Sequence, residues 1–149
     1  MEYIQLTGSI VVYQNDYAIL KAAVESFLNT QLRVYLFVID NSFTDDLRKV
    51  LQLDSSRISY IYNNANLGYG AGHNIALRHA IRLKTQYHLV FNADTFFDKG
   101  SLEALDDFMN TNTSVGHVMP KVLYPDGGLQ RLCRTEPSLW SLAMRRFLP

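Results

Sequence analysis

Apolar positions along the chain fall into short continuous runs, and between the runs they recur at helical spacing. Ser9-Ile10-Val11-Val12-Tyr13 is β-branched and aromatic, the composition of a buried strand. Asn15 or Asp16 can cap the helix that follows. There Ile19, Leu20, Ala23, Val24, Phe27 and Leu28 recur every three or four residues as one stripe. Val34 to Ile39 forms a second apolar run and stops at Asp40-Asn41-Ser42. Thr44 can cap a short helix with Asp45 and Asp46 in its first turn, at the positive end of the dipole. Ile58 to Tyr62 predicts a third strand, ended by Asn63-Asn64. After the segment NLGYGAGHN, residues 66–74, the spacing of Ile75, Leu77, Ala80, Ile81 and Leu83 predicts a helix. Tyr87 to Phe91 reads as a fourth strand, Gly100 to Met109 as a helix, and Val115 to Leu123 as a fifth strand around Pro120. Pro125-Asp126-Gly127-Gly128 reads as a turn.

Strands alternating with helices predict an α/β fold: a three-layer α/β/α arrangement around a mostly parallel sheet. In such sheets ligands gather beyond the carboxyl ends of the strands. Asn15, Asp40, Asn41, Ser42, Asn63, Asn66, Asn92 and Asp94 all fall at those predicted ends.

Composition narrows the function classes. The 149 residues suffice for one packed domain. Fourteen basic and fourteen acidic side chains are interspersed, so no electrostatic footprint for nucleic acid exists and an anionic ligand must be held locally. The single cysteine, Cys133, excludes a disulfide framework and a cysteine-rich zinc site, which points to a reducing, cytoplasmic setting. The amino terminus lacks the basic start and apolar run of a signal peptide, and no segment has the ~20 apolar residues of a bilayer span. Residues 139–149, with Trp140 and Phe147 beside Arg145 and Arg146, are expected to form an amphipathic helix. The alternatives are packing on this chain or on a further domain, a peripheral membrane contact, or disorder.

Several groups are candidates for chemistry. Asp40, at the end of a buried strand, can accept from a nucleobase imide or a ribose hydroxyl, or can cap the turn through Ser42. Gly68, Gly70 and Gly72 let backbone approach a ligand at a helix amino terminus, or form a plain connection. Their G-x-G-x-G spacing, preceded rather than followed by the acid, argues against a nicotinamide dinucleotide fingerprint, and no Walker-type loop exists. Asp94, just past Leu89-Val90-Phe91, suits a hard cation, since Mg²⁺ or Mn²⁺ needs only one or two carboxylates besides water and phosphate oxygens. Asn92 offers a neutral oxygen beside it, and Asp98 a second carboxylate or a helix cap. His73, His79, His88 and His117 lack zinc spacing; His79 and His88 read as surface or structural, while His73 can touch a phosphate. Ser138 and Cys133 lack a nucleophile context.

In order, VVYQN (11–15), VIDNS (38–42), NNANLGYGAGHN (63–74), VFNAD (90–94) and PKVLYPDGGLQRLCR (120–134) resemble the nucleotide-sugar-binding half of inverting family-2 glycosyltransferases of the GT-A fold, especially rhamnosyltransferase-like members. The resemblance implies transfer of a sugar from a UDP- or dTDP-sugar to a saccharide or lipid-linked acceptor in cell-surface polysaccharide synthesis. It places Val12 and Tyr13 at the base pocket and Asp40, with Asn41 beside it, on the pyrimidine imide. Asn66 and the stretch Gly68, Gly70, Gly72 and Asn74 would border the ribose and diphosphate. Asn92-Ala93-Asp94 stands at the D-x-D position, with Asp94 as the metal ligand and Asn92 near the ribose or the metal, while Gly127 and Arg131 would approach the sugar or acceptor. The family's carboxylate general base falls beyond residue 149; Glu136 precedes its position. These residues are therefore expected to be part of a longer enzyme, with a donor domain at 1–128 and the start of the acceptor side at 129–149. A non-catalytic nucleotide-sugar-binding module is the alternative, distinguished by binding without turnover.

Overall fold

Four of the five apolar runs become strands of one parallel sheet. The computed structural model describes residues 3–50 and 56–132. Its strands are β1 (Leu6–Val12), β2 (Val34–Asp40), β3 (Ile58–Tyr62) and β4 (Tyr87–Val90), in the order β3-β2-β1-β4. The helices are α1 (Tyr17–Leu28), α2 (Asp46–Val50), α3 (Tyr69–Leu83) and α4 (Ser101–Thr111). Register pairs Val12 with Asp40 and Asp40 with Tyr62, which aligns the carboxyl ends of β1, β2 and β3 along one edge.

Because strand side chains alternate faces, β1, β2 and β3 each feed two cores. Ile10, Val12, Leu36 and Val38 pack with Leu20, Val24 and Phe27 of α1 and Leu102 of α4, and Leu47 of α2 joins the same cluster. Phe37 and Ile39 take the opposite face, against Ala76 of α3 and with Val11, Tyr35 and Ile61 at its margin. Phe27 stacks on Phe91 at 5.2 Å, and Phe97 meets Phe91 edge-on at 5.1 Å, so aromatic packing fixes the chain just beyond β4.

Local signals resolve in three places. Asp16, not Asn15, caps α1 by accepting from the Ile19 amide at 3.0 Å. Thr44 does not cap α2; its hydroxyl donates to the Asp46 carboxylate at 2.8 Å. Helix α3 begins at Tyr69, so Gly70 and Gly72 lie inside it rather than in a loop.

The predicted fifth strand is corrected. Residues 115–123 form no strand, and the one bridge beyond the sheet among the described residues is antiparallel, Leu123 to Leu129. Pro120 removes a ladder donor, Gly116 adds no side chain to bury, and no residue in the run is buried. The turn behind it forms as expected: Gly127 takes φ +83°, and its N–H donates to the Tyr124 carbonyl at 2.9 Å. The chain divides into two compact units, Met1–Thr113 and Ser114–Pro149. The helix expected at 139–149, together with Cys133, Glu136 and Ser138, lies outside the described residues. No helix among the described residues is long and apolar enough to cross a membrane.

Candidate functional site

Strand order reverses between β1 and β4, because the chain winds outward through β2 and β3 and returns over α3 to the other side of β1. A crevice opens at the carboxyl edge of such a switch point. Asp40, Asn41, Ser42, Asn63, Asn92 and Asp94 gather at that edge, as the pattern of strand ends predicts.

Asp40 is wholly buried, and both of its oxygens are engaged. Oδ1 accepts from the Ser42 amide at 2.7 Å, and Oδ2 accepts from the Tyr60 hydroxyl. The Tyr60 phenol is raised well above its ordinary value, first by burial and then by its bond to Asp40. The Arg48 guanidinium lies 5.0 Å from the centre of the same ring and pairs with Asp45 at 3.6 Å. Tyr60 has no motif of its own, so sequence reasoning missed it.

Asn41 is a strut. It is buried, and its backbone N–H donates to the Val12 carbonyl at 2.9 Å. Its Oδ1 accepts from Asn63 Nδ2 at 2.8 Å, and its Nδ2 donates to the Gly68 carbonyl at 3.2 Å. Through its backbone N–H and its side-chain amide, this one residue joins the ends of β1 and β3 to the cap of α3. Val12 is also fully buried within the core, so it meets the crevice by its backbone only. Tyr13 is exposed and stands edge-on to Phe43 at 5.7 Å, and Phe43 is itself exposed.

The three glycines separate into different roles. Gly68 caps α3 at φ +82°, steadied by its N–H on Asn66 Oδ1 at 3.0 Å. Gly70 is exposed, with open space where a Cβ would stand. Gly72 is buried against β1, where an added Cβ would fall 2.6 Å from Val11 Cγ2. Its missing side chain serves helix-to-strand packing. Asn74 is exposed on α3.

Past β4 the chain turns, with the Thr95 N–H donating to the Asn92 carbonyl at 3.1 Å; Ala93 is buried in this turn while Asn92 and Asp94 are exposed. The Tyr69 hydroxyl donates to Asn92 Oδ1 at 2.9 Å. Burial raises the Tyr69 phenol and the Asp94 charge adds to the effect. Asp94 and Asn92 are the groups that could hold a cation, one carboxylate and one amide oxygen with a lone pair to spare. No cluster of three or more His, Cys, Asp or Glu side chains that could hold a metal occurs among the described residues. Asp98 is not a side-chain cap, since α4 is capped by Gly100 without a side-chain bond. Arg131 and Gly127 are exposed within the second unit.

Beneath this surface lies a polar relay. His73 is buried in α3, not placed in a loop, and its ring meets Tyr69 edge-on at 4.3 Å. His73 Nδ1 and His88 Nε2 each lie 2.8 Å from Ser9 Oγ, and His88 Nδ1 lies 2.8 Å from Thr7 Oγ1. Burial lowers the pKa of both rings; for His88, with the His73 charge adding, it falls to about 4. The tautomer of each neutral ring sets whether the Ser9 hydroxyl donates to it or accepts from it. His73 Nε2 remains buried without a partner. His88, read from the sequence as surface or structural, is structural.

Comparisons with known proteins agree with this fold. Residues 9–145 match the family described as Glycosyl transferase family 2. No curated protein sequence matches the chain significantly. Among solved structures, S. aureus TarS residues 1–349 superposes with a TM-score of 0.63 at 15% identity, covering 82% of this chain and 40% of that one. A second S. aureus TarS structure gives 0.62 at 15%, covering 82% and 24%. The mannosyltransferase PcManGT from Pyrobaculum calidifontis, in complex with GDP-Man and Mn²⁺, gives 0.61 at 17%, covering 84% and 37%. The chain thus spans 24–40% of the length of these structures. With the family match covering nearly its whole length and the parallel α/β sheet in place, the chain belongs to glycosyl transferase family 2.

Proposed function

We propose that the chain is the donor-binding part of an inverting, rhamnosyltransferase-like glycosyltransferase that takes a UDP- or dTDP-sugar and serves a saccharide or lipid-linked acceptor in cell-surface polysaccharide synthesis. The observation that carries the reading is the exposed pair Asn92 and Asp94 at the topological switch point, steadied by Tyr69. A protein of this fold in complex with GDP-Man and Mn²⁺ supports it.

In this reading the base lies against the exposed rings of Tyr13 and Phe43. Asp40 meets a pyrimidine imide by exchanging the Tyr60 hydroxyl for the imide N–H at Oδ2. Asn66, the Gly68 and Gly70 backbone and Asn74 border the ribose and diphosphate, favoured by the positive end of α3. Asn41 and Gly72 act through position: one braces the Gly68 carbonyl, the other seats α3 on β1. Asp94 and Asn92 would hold a Mg²⁺ or Mn²⁺ ion, which would supply charge neutralisation for the departing diphosphate. Arg131 enters the proposal from the family pattern, on the sugar or acceptor. The carboxylate that deprotonates the acceptor hydroxyl, so that it displaces the nucleotide at the anomeric carbon with inversion, belongs beyond residue 149. Residues 1–128 are then the donor domain and 129–149 the start of the acceptor side, working in the cytoplasm with a peripheral membrane contact at 139–149.

Calorimetry with UDP, dTDP and GDP, each with and without Mn²⁺, tests the reading. Pyrimidine nucleoside diphosphates are expected to bind, more tightly with Mn²⁺. Preference for GDP, or no binding of any of the three, would overturn it.

A further inference from the structure

At the opposite edge of the sheet the first unit holds a cavity of about 820 Å³, within the usual size of a small-molecule site. It is built where β2 and β3 begin and α3 ends, roughly 20 Å from the switch point by the rise of seven strand residues. Its lining includes Arg33, Arg57 and Arg82, and none of its described lining residues is a carboxylate, although acids and bases balance over the chain. Helix-dipole complementarity accounts for Arg82, in the last turn of α3, but not for the other two. Arg33 arrives from the turn before β2. Arg57 arrives from the residue before β3, its guanidinium donating to the Leu28 carbonyl at 3.1 Å. Neither Arg33 nor Arg82 is in an ion pair among the described residues. The same lining includes an aromatic cluster: Phe37 lies 5.3 Å from Tyr35 and 5.5 Å from His79, ring centre to ring centre.

We propose that this cavity binds a phosphate ester with a ring or apolar body, the phosphate held by Arg33 and Arg82 and the body lying against Tyr35 and His79. Guanidinium groups pair with phosphate oxygens in a planar, two-pronged geometry, and the apolar wall rewards a body that a bare anion lacks. The inference stands apart from the donor site and requires no metal. Its ligand is a soluble phosphate ester or the headgroup of an anionic lipid.

Phenyl phosphate titrated into the 149-residue chain in EDTA tests the inference, with backbone amide shifts recorded and inorganic phosphate for comparison. Tighter binding of phenyl phosphate than of phosphate is expected, with shifts at Tyr35, Ser59 and His79. The Arg33→Ala/Arg82→Ala variant, changed only at exposed positions, should lose affinity at least tenfold, and Asp94→Ala should lose none. Phosphatidylglycerol vesicles separate the sources: arginine-dependent co-sedimentation assigns the site to a headgroup, and its failure beside intact phenyl phosphate binding assigns it to a soluble ester. Binding indifferent to the two arginines, shifts confined to Asn92 and Asp94, or no binding of either probe would overturn the proposal.

Discussion

The Tyr69 hydroxyl donates to Asn92 Oδ1 across 2.9 Å, tying the first turn of α3 to the strand end that carries Asp94. The contact reaches across the switch point. Asn92 therefore presents its oxygen in one orientation, and Tyr69 is held near the Asp94 charge that helps raise its phenol.

Tyr69→Phe deletes that bond and keeps the ring on His73. Since Tyr69 is exposed, its melting temperature should stay within a few degrees of the parent. Mn²⁺-dependent UDP affinity should fall several-fold, the scale of about 1 kcal/mol for one hydrogen bond. Calorimetry checks both the loss and its confinement to titrations with metal.

Asp94→Ala removes the one carboxylate of the exposed pair. The gain in UDP affinity on adding Mn²⁺ should vanish while metal-free binding persists. An unchanged Mn²⁺ increment in the variant would remove Asp94 from the site.

Tyr60→Phe separates recognition from stability. It frees Asp40 Oδ2 from its occupant, so UDP and dTDP should bind several-fold more tightly, and GDP should not. Asp40→Ala strands the Tyr60 hydroxyl and the Ser42 amide, and denaturant titration should register a loss of about 1–3 kcal/mol for each group left unpaired.

Gly72→Ala and Gly70→Ala should move in opposite directions. The first drives a methyl into Val11 and should destabilise by about 1–3 kcal/mol. The second meets open space within a helix and should stabilise by up to about 1 kcal/mol. Urea midpoints distinguish the packing glycine from the free one.

The buried imidazoles predict acid sensitivity. His88 titrates near 4 in the folded chain against an ordinary 6.5, so between those values the unfolded chain binds a proton that the native chain refuses. Stability should fall as pH drops from about 6.5 to 4, by about 3 kcal/mol from this ring, whose own contribution levels off below. His73, shifted the same way, adds to the slope. Urea unfolding at pH 7 and pH 4.5 measures it, and His88→Gln should flatten it.

Strand and helix identity were legible wherever a local pattern was also a burial pattern. Val34 to Ile39 announced β2 and Leu20 to Leu28 the buried stripe of α1, because apolar spacing and buried face are there the same property; Ile19, at the margin of the stripe, is exposed. Residues 115–123 misled because a β-rich run with Pro120 and Gly116 has no face to bury. The position of Asn92 and Asp94 at a strand end was likewise readable, since it needs only the end of an apolar run. The occupancy of each polar atom was not. Tyr60 on Asp40, Asn41 between Asn63 and Gly68, and Ser9 between two histidines join residues 20 to 79 positions apart. By itself the sequence determined the alternating α/β order and the polar strand ends, because both follow from local side-chain chemistry. Only the tertiary structure decided which polar groups are spent holding the crevice together and which face into it, because a hydrogen bond depends on a few ångströms of separation that chain spacing does not encode.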